Sequence, residues 1–385
     1  MDISSLKINL QKEEQMFIHR KIDEIFDTDC GWTNAKIVQE FETEFRKIVD
    51  SDYCIGVSTG STALESLMIA IGSSENSLMY IPTLTAPPTV LSALHNNSKV
   101  VLVDSDLNNF CMDINDLERK IAKYGKGENG TSCVIPVYIG GIMPDNVEDI
   151  VLLAHSKGMK VIEDCAHAHG SSIHGVSAGC FGDGGIYSFF LTKTMTSGEG
   201  GVVVTNSDEI NKKIRMIRNY GKDSKGRHVI KGSSWRMNEF TAAVALQQCY
   251  SYKSNISERR RIAKLYDNAF QNNEYLRCVN VKGECGYYKY ILTMREGADF
   301  DRIGFGKYLK DNFNINLPAP VYERLCHQEM YIRSAKNVLN VNDKFEKAEK
   351  IAKNHFCLPI YRGLTDSEIE YIISSIKECI NQFVK

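Results

Sequence analysis

The chain reads as an α/β protein built on a mainly parallel seven-stranded sheet flanked by helices, followed by a smaller C-terminal α/β region. Three observations predict this. Seven short runs are apolar on consecutive positions, as expected of strands buried on both faces. Segments with helical spacing separate several of these runs, and that alternation yields a parallel sheet. After about residue 210 the pattern changes to long polar helices.

The elements follow in order. Residues 10–50 read as helical, and VQEFETEFRKIV (38–49) repeats apolar residues at helical spacing. The seven strand runs are YCIGV (53–57), LMYI (78–81), VVLV (100–103), CVIPVY (133–138), KVIED (160–164), GIYSFFL (185–191) and GVVVT (201–205). Helical segments lie at TALESLMIAIG (62–72), APPTVLSALHNN (86–97) and VEDIVLLAHSKG (147–158). The last two strands are too close for a crossover helix, so antiparallel pairing is expected there. Helices are expected over 208–219 and 238–268, a strand-like piece at YYKYILTM (287–294), then helices to the end. Polar stretches containing glycine at 125–131 and 221–234 read as loops. Residues 1–245 are assigned to a large domain and 246–385 to a small one, a division that 385 residues accommodate.

Composition narrows the functional class. Hydrophobic residues make up 43% and charged residues 24%, ordinary for a globular enzyme. The formal net charge is −2 with no Lys/Arg block, which argues against nucleic acid or an anionic membrane as principal partner. No apolar run approaches the ~20 residues of a spanning helix. The N-terminus has no apolar core of the signal-peptide kind, so a cytoplasmic location is expected. The 12 cysteines are scattered without a CxxC pair. They read as reduced, buried thiols rather than zinc ligands, and no metal is expected.

Three motifs carry chemistry. The first is Ser58-Thr59-Gly60-Ser61-Thr62-Ala63, which follows a strand and opens a helix. Thr62 and Glu65 have capping-box spacing. Gly60 permits a tight turn, and a helix N-terminus with hydroxyls beside it binds phosphate. It is neither a Walker loop nor GxGxxG, and on its own it is more often a capped turn. The second is Glu163-Asp164-Cys165-Ala166-His167 at the carboxyl end of a strand, where doubly wound sheets bind ligands. Asp164 suits a cationic ring nitrogen and His167 a ring neighbour. A helix cap with solvated histidines explains such a motif equally well. The third is Ser188 through Gly201, where an apolar strand delivers Ser188 and then Lys193 before a Gly-rich turn. A lysine held near a buried cofactor loses its proton and attacks a carbonyl. Taken singly, a lysine at a strand end is usually solvated.

Together the motifs form a set: phosphate cup, ring-nitrogen carboxylate, ring neighbour and carbonyl-attacking lysine. Their chain order is that of a pyridoxal 5'-phosphate (PLP) enzyme of the aspartate-aminotransferase type. The sequence also resembles the DegT/DnrJ/EryC1/StrS family of sugar aminotransferases over nearly its whole length. The matching stretches begin with VQEFETEF (38–45) and STGSTALESLMIA, and continue through IPTLTAPPTVLSAL, PVYIGGIMPDNVEDI and GMKVIEDCAHAHGSS. The most specific is GCFGDGGIYSFFLTKTMTSGEGGVVVTN (179–206). RNYG (218–221), GSSWRMNEFTAAVALQQ (232–248) and CLPIYRGLTDSEIEYII (357–373) complete the set.

The resemblance implies an aspartate-aminotransferase-like fold (fold-type I) and a homodimer with a shared active site. It implies Lys193 as the catalytic Schiff-base lysine and Asp164 as partner of the ring nitrogen. His167 is expected beside the ring hydroxyl. Gly60, Ser61, Thr62 and Ser188 are expected at the phosphate, joined by Ser234 from the neighbouring subunit. Two departures stand out. The family's stacking aromatic after PxxT is replaced here by Ala86, and its Asn in GxNxR by Ser234. The implied reaction moves an amino group from glutamate or glutamine to a ketone on a nucleotide-linked keto-deoxy sugar, in a polysaccharide or secondary-metabolite pathway. Other ketones, an inosose or a small ketone phosphate, are alternatives. A sugar dehydratase of the same fold carries His where Lys193 stands. A PLP-binding regulator needs neither Lys193 nor Asp164, and a dinucleotide enzyme lacks its glycine fingerprint here. Asn316, Tyr322, His327 and the surroundings of Tyr288 are further candidates for substrate contact, though each also reads as ordinary structure.

Overall fold

Residues 1–27, 31–127, 130–295 and 300–384 are described by a computed structural model. Helices α1 (Lys12–Phe26) and α2 (Lys36–Val49) precede β1 (Tyr53–Val57). Then α3 (Gly60–Ala70), β2 (Leu78–Pro82), α4 (Pro87–His95), β3 (Lys99–Val103), α5 (Ile114–Tyr124), β4 (Cys133–Val134), α6 (Val147–Ser156) and β5 (Lys160–Asp164) alternate. A small hairpin of β6 (Ser172–Ile173) and β7 (Val176–Ser177) leads to β8 (Gly184–Ser188) and β9 (Gly201–Thr205). The seven-stranded sheet has the order β1-β9-β8-β5-β4-β2-β3. Within it β9 alone runs against its neighbours, so the expected antiparallel pair forms.

The consecutive apolar residues are explained by two covered faces. Val203 of β9 joins a core with Leu64 of α3 and Ile214 of α7 (Asp208–Ile217). Its neighbours Val202 and Val204 face the opposite core with Phe41 of α2 and Ala245 of α8 (Glu239–Phe270). The same alternation holds in β2 and β3, whose outer face packs on Leu117 of α5 and Ile150 of α6. Each such side chain contributes about 1.5–3 kcal/mol when fully buried.

Polar ties fix the frame. Glu239 accepts from the N–H groups of Ala35 (2.7 Å) and Ile37 (2.6 Å), which caps α2 from the start of α8. Buried Glu42 accepts from Gly56 N–H at 2.9 Å and from Arg218 Nη1 at 2.6 Å, joining α2, β1 and the end of α7.

Two strand expectations are shortened. The ladder of CVIPVY stops at Val134, because Pro136 has no N–H to donate. The chain still runs beside β5: Asp164 N–H donates to Pro136 O (2.9 Å) and Tyr138 N–H to Asp164 O (3.2 Å). In GIYSFFL the strand ends at Ser188, and Phe190 and Leu191 turn outward into exposure.

A second, antiparallel sheet holds β10 (Leu276–Cys278), β11 (Tyr290–Met294) and β12 (His355–Leu358). Helices α9 (Arg302–Phe313), α10 (Met330–Ser334), α11 (Glu346–Lys353) and α12 (Asp366–Cys379) complete the chain. The strand in YYKYILTM begins only at Tyr290. Tyr287 takes φ 47°, a left-handed conformation that bends the chain ahead of it. The core of this sheet also takes in Ile3, whose N–H donates to Asn314 O at 2.9 Å. Residues 221–234 form no helix or extended strand. The same holds for 125–127 and 130–131, while residues 128 and 129 of that expected loop lie outside the described residues. Eleven cysteines are described, all free, and all but Cys180 and Cys278 are buried. Among the described residues no helix is long and apolar enough to cross a membrane, and no side-chain group suits a metal ion.

Candidate active site

Strand alternation divides Glu163 from Asp164 at the carboxyl end of β5. Glu163 is fully buried and accepts from Tyr138 OH (2.6 Å) and from the N–H groups of Gly179 (2.8 Å), Phe181 (2.7 Å) and Gly182 (2.8 Å). It anchors the loop that leads into β8. Asp164 points into the opposite environment. Its Oδ1 accepts from Ala166 N–H at 3.1 Å and its Oδ2 from Thr89 Oγ1 at 2.9 Å. Thr89 in turn shares a 2.9 Å hydrogen bond with Thr85. Burial lifts the Asp164 carboxyl above its ordinary pKa, while its two hydrogen bonds and the charge of Lys193 act in the other direction.

Lys193 follows β8 in a turn in which its N–H donates to Phe190 O at 2.9 Å. The residue keeps some exposure, but its ammonium is desolvated. Burial brings its pKa down from 10.5 to about 8, with Asp164 opposing and Lys289 assisting. Its Nζ lies 4.7 Å from the centroid of the Tyr288 ring. Tyr288 stacks on His167 at 4.1 Å and 23°, and its hydroxyl meets Thr192 Oγ1 at 3.1 Å. Tyr322 lies parallel to His167 at 6.1 Å and 20°. Burial and the nearby lysines hold the His167 imidazole neutral. Gly140 N–H donates to its Nδ1 at 3.4 Å, which assigns the ring proton to Nε2.

The turn after β1 is built differently from its expected cap. The cap is Thr59, not Thr62. Thr59 Oγ1 accepts from Thr62 N–H (3.1 Å), and Thr62 Oγ1 accepts from Thr59 N–H (3.0 Å). The helix therefore opens at Gly60, and Glu65 bonds His95 instead, at 2.9 Å. The hydroxyl of Thr59 sits three residues before an N–H that needs an acceptor, and that local match wins. The N–H groups of Gly60 and Ser61 have no acceptor among the described residues, a ready cradle for an anion. Gly60 packs on Ser188: a Cβ added there would lie 2.9 Å from Ser188 Cβ.

The structure thus brings Gly60 against Ser188, with Ser61 next in the same turn, and His167 and Lys193 against Tyr288, while Asp164 acts on Lys193 through its charge. Thr62 is committed to the cap. Ser234 is exposed and accepts from Arg236 Nη2 at 2.8 Å, one residue before Trp235, whose carbonyl accepts from Ser58 N–H at 3.0 Å. Of the other candidates, Asn316 Nδ2 donates to Ile3 O (3.1 Å) and His327 Nδ1 meets Thr83 Oγ1 (2.6 Å), so both serve the frame. Thr89 was missed, and its place three residues into a helix gave no signal.

The sheet order, with the lysine after β8 and the carboxylate at the end of β5, defines an aspartate-aminotransferase-like, fold-type I architecture. Solved structures of that fold match almost end to end. The aminotransferase PseC of Helicobacter pylori, involved in the biosynthesis of pseudoaminic acid, superposes with a TM-score of 0.87 over 100% of both chains at 21% identity. A family model for the DegT/DnrJ/EryC1/StrS aminotransferase family matches residues 12–377. The chain belongs to that family. Among curated relatives, GDP-perosamine synthase of Escherichia coli O157:H7 is 30% identical, covering 91% of this chain and 92% of its own. The dTDP-3-amino-3,6-dideoxy-alpha-D-galactopyranose transaminase of Aneurinibacillus thermoaerophilus is 27% identical over 98% of each.

Proposed function

We propose that this chain is a PLP-dependent aminotransferase that moves an amino group from glutamate or glutamine to the ketone of a nucleotide-linked keto-deoxy sugar. The observation that carries this is Lys193, an enclosed lysine with its pKa drawn down to about 8 beside the buried Asp164. The residues suit the cofactor: an anion cradle, a buried carboxylate and a lysine with a depressed pKa lie in one region. When bound, PLP supplies a carbon that accepts amines and a ring that withdraws electrons.

The protein's share follows from its side chains. Lys193 would hold the cofactor, and its amine, drawn toward neutrality, would act as general base and acid at the donor's α-carbon. Asp164 would meet the ring nitrogen, where a cation would offset the burial that raises its pKa. His167 would offer Nε2–H to the ring oxygen. Gly60, Ser61 and Ser188 would receive the phosphate, and Thr62 holds the turn that would present it. Tyr288 excludes water beside the lysine.

The sugar reading draws support from the names of the two curated relatives, which are a GDP-linked and a dTDP-linked amino-sugar enzyme. A homodimer with shared sites is part of the proposal. Phe190 and Leu191 are exposed within three residues of Lys193, and Phe26 and Trp32 form an exposed aromatic cluster with Phe240. In such a dimer Ser234 reaches the phosphate of the neighbouring subunit. We also assign residues 1–245 and 246–385 to large and small domains, linked through α8, and place the protein in the cytoplasm, where its unbridged thiols stay reduced.

Incubation with PLP, borohydride reduction and peptide mass analysis test the reading. The modification belongs on Lys193 and is absent in Lys193→Ala. A GDP- or dTDP-linked keto-deoxy sugar added with glutamate should then release 2-oxoglutarate. An unmodified Lys193 would sink the assignment.

A further inference from the structure

A cavity of about 50 Å³ opens beside Lys193. Thr194, Gln248, Asn255 and Arg259 line it, and the N-terminal residues Leu6–Leu10 close it. All four polar residues are more than nine-tenths buried. Gln248 donates to Gln247 Oε1 at 2.9 Å, but Asn255 Oδ1 and Thr194 Oγ1 are buried without a hydrogen-bond partner among the described residues. Buried polar groups in native proteins nearly always have a partner, so two free acceptors facing one cavity point to a polar guest.

Arg259 is the central group. Its Nη1 donates to two backbone carbonyls, Tyr287 O (2.9 Å) and Ile360 O (3.0 Å). Its Nε and Nη2 have no acceptor among the described residues, and no carboxylate there pairs with it. A second arginine on the cavity, Arg362, is already neutralised by Glu14 at 2.6 Å. Burial lowers the Arg259 pKa to about 10, as it does for a cation without a counter-ion. The free Nε/Nη2 edge has the fork geometry that matches a carboxylate. The volume suits a group of a few heavy atoms and excludes a sugar.

We propose that this cavity takes a carboxylate of the amino donor. Arg259 grips it through Nε and Nη2, and the Thr194 hydroxyl and a turned Asn255 amide complete the set. The donor's amine is thereby held next to Lys193. The inference rests on the transaminase reading, and it names the residues that select an amino acid as donor.

Calorimetric titration of the full-length, PLP-treated protein with glutarate, a dicarboxylate with no amine to react, tests it. Wild type should bind. Arg259→Met should bind at least about tenfold more weakly, the expected loss for a charge-assisted hydrogen-bond pair, and Arg259→Lys should recover part of that. In turnover, the KM for glutamate should rise in Arg259→Met while the KM for the keto sugar stays put, a split that a merely structural role does not give. If Arg259→Met fails to fold, Thr194→Val and Asn255→Leu carry the same comparison, each with weaker glutarate binding. Wild type that ignores glutarate, or cavity variants that bind it as wild type does, overturns the proposal. Borohydride trapping at Lys193 is read separately. If trapping fails while glutarate binding still tracks Arg259, the cofactor reading falls and the carboxylate site stands.

Discussion

Tyr288 lies flat against His167, with ring centroids 4.1 Å apart and planes 23° from parallel, and the same phenol ring carries Lys193 Nζ at 4.7 Å. One aromatic side chain from the C-terminal part of the chain thus dries two titratable groups of the large sheet at once. The imidazole is held neutral and the ammonium is brought toward neutrality. The titration of Lys193 therefore reports on the whole arrangement.

In the cofactor-free protein the Lys193 amine should be half neutral near pH 8 rather than 10.5. The folded chain loses this proton from about pH 8, whereas the unfolded chain keeps it to about 10.5. Stability therefore rises with pH across that window, since the unfolded state binds the extra proton there. Asp164 favours the charged lysine, so Asp164→Asn should move the midpoint below 8. The pH dependence of Lys193 acylation, followed by mass spectrometry, gives the midpoint. An ordinary lysine midpoint in wild type would refute the assignment.

Tyr288→Leu should move that midpoint upward, because water then reaches the ammonium. Tyr288→Phe keeps the ring and loses only the hydroxyl contact to Thr192, so its midpoint should stay near the wild-type value of about 8. Equal midpoints in the Leu and Phe variants would show that the ring does not shield the lysine.

Gly60→Ala places a methyl 2.9 Å from Ser188 Cβ and 3.2 Å from its hydroxyl. Overpacking of this kind costs about 1–3 kcal/mol, readable in urea denaturation. Because the same contact shapes the cradle, phosphate affinity should fall with it. Adding Ser188→Gly removes the clashing Cβ and should restore part of the stability. No change in the single variant would mean that the turn has slack to move.

Much of this was legible in the letters because it depends on local rules. Consecutive apolar residues in GVVVT encode a doubly covered strand, and Glu163 with Asp164 at a strand end marks the ligand edge of the sheet. What escaped was set by tertiary partners. Thr62 and Glu65 had capping spacing, yet Thr59 took the cap and His95 took the glutamate. Thr89 meets Asp164 across 75 positions, and nothing near Thr89 in sequence announces it. Tyr288 belonged to an apolar run that reads as strand. The left-handed turn at Tyr287 that sets it free of β11 is a property of one backbone angle. Arg259 looked like one of three consecutive arginines on a polar helix, and only burial distinguishes it from Arg261.

Ile3 has a consequence for the order of assembly. It docks between Asn314 and Asn316, 313 positions downstream of it in the latter case. A ribosome delivers Lys193 and the whole central sheet long before residue 316 emerges, and synthesis favours folding from the N-terminal side. Ile3 therefore meets its partners Asn314 and Asn316 only late in translation. The wall that Leu6–Leu10 give the cavity beside Lys193 is thus completed after the central sheet has been made.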